Sequence, residues 1–164
     1  MTRNTSERCC HRALSEKDTV IADTDFDTTE HAVLGTARYF WQTFATPEAQ
    51  AWLFAFQFAE QNLTSEVGLD VLAAVQAMRM SRSSAFRFNN PMCEGCSAIL
   101  SEHERQFMNV FRAVRENRRG AAKTHAMILC EGNATDTFIE RMAELTRAAY
   151  APHAGPTCIP AAFV

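Results

Sequence analysis

Val33, Leu34, Ala37, Phe40, Trp41 and Phe44 recur three or four residues apart, a spacing that lines one side of an α-helix with apolar side chains. The same period returns in Val67, Leu72, Val75 and Met78, in Leu100, Phe107, Val110, Phe111 and Val114, and in Phe138, Ile139, Met142 and Leu145. A chain patterned this way buries its stripes by packing helix on helix. Only 6 glycines and 5 prolines interrupt 164 residues, so long helices are favoured over many turns. The expectation is an all-α, single-domain helical bundle of about six helices. Residues 1–27 are polar and read as a flexible N-terminal arm, ending in the acidic cluster Asp23, Asp25 and Asp27, which reads as a solvated face. Residues 28–150 form the bundle. Residues 151–164 carry Pro152, Pro156 and Pro160 and read as an extended C-terminal tail, with Ile159, Phe163 and Val164 to dock it.

Capping chemistry places the helices. Thr28 or Thr29 is a good N-cap for a first helix reaching about residue 44. Thr46-Pro47-Glu48 supplies a cap, a first-turn proline and a first-turn acid for a second, ending near Asn62. Its Trp52, Leu53, Phe54, Phe56 and Phe58 go almost all round, which predicts a central helix. A third runs from Thr64 or Ser65 towards Met80. A fourth is read as continuous from Ser97 to Arg118 or Arg119, although Ser101 and Glu104 have capping-box spacing. A fifth covers Ala121 to Cys130, and a sixth follows Asn133 or Thr135 to Tyr150. The stretch 81–92 breaks the pattern and reads as a loop. Arg79, Arg82 and Arg87 with Phe86 and Phe88 could hold a phosphate or nucleotide there, but two phenylalanines anchoring a surface loop is the simpler reading.

The net charge is −3 and Lys17 and Lys123 are the only lysines, so no global basic field recruits nucleic acid. No run of about 18 apolar residues spans a membrane, and residues 1–27 lack the apolar core of a secretory signal. The expected compartment is therefore the cytoplasm, where the 6 cysteines read as thiols or metal ligands before disulfides.

Cys93-Glu94-Gly95-Cys96 lies between a proline-containing loop and a helix start. A C-x-x-C turn lets two sulfurs converge, and the helix dipole favours thiolate. Half a zinc site, a redox dithiol and a cluster ligand pair share this geometry. The candidate metal set is Cys93, Cys96, Cys130 and Cys158, with zinc as the possible cofactor. His153 and the arm residues Cys9, Cys10 and His11 could also reach the pair. In one continuous helix Cys96 and His103 would be about 10 Å apart, too far to share a metal, and His125 and Cys130 differ by about 7.5 Å of rise. Cys130, among Met127, Ile128 and Leu129, also fits a core position. The leading expectation is a small intracellular regulatory or interaction module whose Cys93/Cys96 corner binds a structural or sensory zinc. One alternative is a thiol–disulfide enzyme, with Cys93 the more exposed attacking thiol and Cys96 the resolving one. The other is a metal-free bundle that binds a protein partner or apolar ligand, or self-associates through its aromatic surface.

Overall fold

In the computed structural model, which describes residues 16–152, helix α1 (Thr28–Ala45) is capped by Asp27, one residue before the predicted threonines. Asp27 Oδ1 accepts from the Glu30 N–H at 2.8 Å, and the Asp27 N–H donates to Glu30 Oε2 at 2.9 Å. This box satisfies amides that a helix start leaves without partners. The predicted stripe is correct: Val33, Leu34, Ala37, Phe40 and Trp41 are buried, and Phe44 is half-buried.

Residues 19–27 are tied to the bundle, although the sequence places them in the loose arm. Strand β1 (Thr19–Val20) pairs antiparallel with β2 (Ile99–Leu100), Thr19 opposite Leu100. The Ile21 N–H donates to Ala98 O at 2.8 Å. The acidic cluster is not simply solvated. Asp25 accepts from Arg112 and Asp27 from Arg115, each at 2.8 Å. Tyr150 Oη also donates to Asp27 at 2.8 Å. These partners lie 87, 88 and 123 residues away along the chain, beyond the reach of any local pattern.

The second helix departs most from expectation. Thr46 makes no side-chain cap; Pro47–Ala49 form a single 3-10 turn, and Gln50 adopts a left-handed φ of 48°. Helix α2 (Ala51–Asn62) starts after it and buries only Ala51, Ala55 and Ala59. Trp52, Leu53 and Phe54 are 46%, 48% and 42% exposed. Thus α2 lies at the surface and is not central. Small side chains on its inner face let it approach helix α3 (Ser65–Ser81) closely. A Cβ added at Gly68 would sit 2.9 Å from Ala59 Cβ. The aromatic bulk is therefore turned sideways and outwards. All-round apolarity identifies a core helix or a surface one with an unfilled face equally well.

The predicted fourth helix is broken into α4 (Glu94–Ser97), strand β2 and α5 (Glu102–Arg115). Ser101 and Glu104 form a second capping box at the start of α5. Helices α6 (Arg119–Leu129) and α7 (Asp136–Ala149) complete seven α-helices among the described residues, against the six expected; the break in the fourth accounts for the extra one. Helix α5 packs on α6 and α7, α7 on α3, and α1 on α2 and α3. Val75, Met78, Phe107, Phe111, Leu129, Phe138, Met142 and Leu145 close the all-α core. No described helix is long and apolar enough to cross a membrane.

Candidate functional site

The Cys93–Cys96 corner is real as a structural feature, but it is not presented for attack. Cys93 precedes α4 and Cys96 lies within it. Their exposures are 6% and 9%, so Cys93 is not the more exposed of the pair. Helix α4 is a single turn, too short to align the peptide dipoles on which the thiolate expectation rested. Cys130, at the C-cap of α6, is fully buried in the apolar core, and burial pushes its thiol up. Among the described residues, no three of His, Cys, Asp and Glu converge as a metal-holding group. Cys158, His153, Cys9, Cys10 and His11 lie outside the described residues.

A buried ion pair holds the corner in place. Arg38 of α1 donates Nε–H to Glu104 Oε1 at 2.7 Å, Nη1 to Ser97 O at 2.6 Å and Nη2 to Ile99 O at 2.6 Å. Glu104 in turn accepts from the Asn89 N–H at 3.0 Å, the Ser101 N–H at 2.7 Å and Asn89 Nδ2 at 3.1 Å. Asn89 Nδ2 also reaches Ile99 O at 2.7 Å. Arg38, Asn89, Ser101 and Glu104 are all buried. A charge removed from water is tolerable only when its donors and acceptors are met, and here one carboxylate and one guanidinium bond the backbone of the irregular segment at Asn89, Ser97, Ile99 and Ser101. The sequence showed Ser101 and Glu104 only as a possible capping box; Arg38, 66 residues away, carried no local signal.

His103 cannot be judged by spacing along one helix, because Cys96 and His103 belong to different elements. Its Nδ1 accepts from the Arg87 N–H at 2.8 Å. Burial, helped by the charges of Arg82 and Arg87, holds its imidazole below the ordinary value. His125 Nδ1 lies 2.7 Å from Gln106 Oε1. Across the same loop, Glu131 accepts from the Ser84 hydroxyl and from the Ser83 N–H at 2.9 Å. The Ser84 side chain and the loop amides pull the Glu131 carboxyl down to about 2. A carboxylate whose folded value is depressed stabilises the fold above its unfolded value, about 4.3, and loses that contribution as pH falls towards 2. Carboxyl NMR is therefore expected to show Glu131 titrating near 2, and Ser84→Ala is expected to bring it up towards the ordinary range.

The other constellation is a groove of about 610 Å³ between α1, α2 and α3, lined by Phe40, Phe44, Trp52, Phe56, Leu69 and Leu72 among others. Phe56 is anchored edge-on against Phe40, with ring centres 5.4 Å apart. Leu69, on the groove wall, is 56% exposed. Trp52, Leu53 and Phe54 continue the apolar surface along α2. The chain between Arg38 and Arg79 has one sign of charge, while the Arg79 guanidinium itself stacks at the groove's edge, 3.7 Å from the centre of the Phe44 ring. Residues 39–78 contain Glu48, Glu60, Glu66 and Asp70 and no Lys, Arg or His. Glu48, Glu60 and Glu66 are exposed. That charge pattern is the legible signal that periodicity alone passed over. No known protein family, curated protein or solved structure matches the chain.

Proposed function

We propose that this protein is an interaction module that takes an apolar, basic amphipathic helix of a partner protein into the groove between α1, α2 and α3. The observation that carries this reading is the exposed aromatic surface of α2 beside an apolar groove, set in a stretch with four acids and no base. Helix-in-groove recognition needs an apolar trough for side chains spaced by three or four residues. Surface patches of this kind on a soluble fold are interaction sites more often than accidents. The carboxylates select the charge of what enters and would speed its approach. A second copy of the chain would bring the same carboxylates against themselves, which disfavours self-association through this face.

The test uses the full chain and two designed helical peptides of about 18 residues, or five turns. One carries leucines at helical spacing with lysines elsewhere; the other replaces every lysine with glutamate. Calorimetry is expected to give micromolar binding for the lysine peptide, weakening with salt, and none for the glutamate peptide. Equal binding of both, or of neither, overturns the proposal. A concentration-dependent dimer in sedimentation that Trp52→Ala abolishes would make a second copy the occupant and overturn it as well.

A further inference from the structure

The loop after α3 builds a second, chemically different pocket. It encloses about 430 Å³ and is lined by Trp41, Phe44, Arg79, Arg82, Ser83 and Phe86 among others. That volume is within the range of small-molecule sites. Phe86 stacks on Trp41 with ring centres 4.3 Å apart and planes at 28°, and the Arg79 guanidinium lies 3.7 Å from the centre of the Phe44 ring. The two arginines differ in availability. Arg82 donates to Leu129 O at 2.6 Å and Ser84 O at 3.0 Å and pairs with Glu131 at 3.3 Å, so its charge is spent on holding the loop. Arg79 donates to Gln76 Oε1 at 2.8 Å, and no carboxylate among the described residues pairs with it. The Ser83 side chain, also on the pocket wall, has no partner among the described residues; only its backbone N–H is used, by Glu131. The pocket therefore presents stacked rings, one uncompensated cation and one available hydroxyl.

We infer that this pocket binds a planar aromatic anion, its ring against Phe44 and Phe86 and its phosphate or carboxylate on Arg79 and Ser83. Ring faces supply contact area and guanidinium–ring stacking, and an arginine without a carboxylate partner is a ready donor of charge-assisted hydrogen bonds to an anion. Glu131 has a part in this selectivity. By neutralising Arg82 it leaves a net single positive charge, which suits a ligand with one anionic group. The site is separate from peptide recognition in the groove, although Phe44 borders both.

The test is calorimetry of the full chain with four probes: adenosine monophosphate, adenosine, inorganic phosphate and indole-3-acetate. At least one of the two ring anions is expected to bind at least about tenfold more tightly than both adenosine and phosphate, and Arg79→Gln is expected to weaken it by about tenfold or more. Which ring anion binds distinguishes phosphate from carboxylate recognition. The chain has two tryptophans; in Trp52→Phe, Trp41 is the chain's only indole, and adenosine monophosphate, where it is the anion that binds, should change its fluorescence with the same midpoint, while indole-3-acetate, itself an indole, is followed by calorimetry alone. Ala45→Glu, on the exposed rim of the pocket, should weaken binding in the same way and carries the test if circular dichroism shows Arg79→Gln to be unfolded. Failure of both ring anions to bind, binding no tighter than adenosine or phosphate, or ring-anion binding unchanged in the folded variants overturns the inference.

Discussion

Replacing Arg38 with methionine is expected to destabilise the fold by about 3–5 kcal/mol, because it leaves the Glu104 carboxylate buried without its cation. The loss extends beyond the pair. Ser97 O and Ile99 O lose the guanidinium donors that hold the irregular segment against α1. The Asn89 and Ser101 amides remain on Glu104, which keeps the cost within that range. Urea unfolding measures the effect. Adding Glu104→Gln to Arg38→Met removes the orphaned charge but retains an acceptor, so the double variant is expected to be more stable than Arg38→Met alone. Hydrogen exchange and thiol labelling across Cys93–Leu100 should accelerate in Arg38→Met before the core around Phe107 and Phe138 does. A cost below about 1 kcal/mol would mean that the pair behaves like a surface ion pair and does not fix the corner.

Trp52→Ala is expected to separate binding from folding. Trp52 is 46% exposed, so losing its buried half should cost the fold about 1 kcal/mol. As an aromatic anchor at the centre of the proposed contact it should weaken the lysine peptide by about 2 kcal/mol or more, roughly thirtyfold. Glu66→Lys should have a smaller effect that fades at high salt, because a rim charge acts through screened electrostatics. Calorimetry at two ionic strengths resolves the two contributions. An unchanged affinity in Trp52→Ala would remove α2 from the binding surface.

Where the sequence could be read, it was read through short-range chemistry. The α1 stripe, the Thr64 start of α3 and the Phe107–Val110–Phe111 face of α5 follow from spacing and capping alone. The break before α5 was visible as the Ser101–Glu104 spacing, but a helix through Ser97 fits the same apolar positions, and what decides between them is distant in the chain: Arg38, Asn89 and the pairing of β1 with Ile99–Leu100. Helix α2 was misplaced for a different reason. Periodicity reports which side chains avoid water, not whether this chain or another molecule covers them, and Trp52, Leu53 and Phe54 are only about half covered among the described residues. The cysteine pair shows the limit from the other side. A C-x-x-C motif gives the spacing of two sulfurs, whereas a metal or redox centre depends on third groups brought in by the fold. Among the described residues those third groups are absent, and Cys130 is committed to the core.

The indole N–H signals of the two tryptophans test the central claim most directly. In 15N-labelled full chain titrated with the lysine peptide, the Trp52 cross-peak should shift saturably, with a midpoint matching calorimetry. The Trp41 cross-peak, from a buried ring outside the groove lining, should stay in place. A stationary Trp52 signal under saturating peptide, or a shift confined to Trp41, would contradict the assignment of the α1–α2–α3 groove as the docking site.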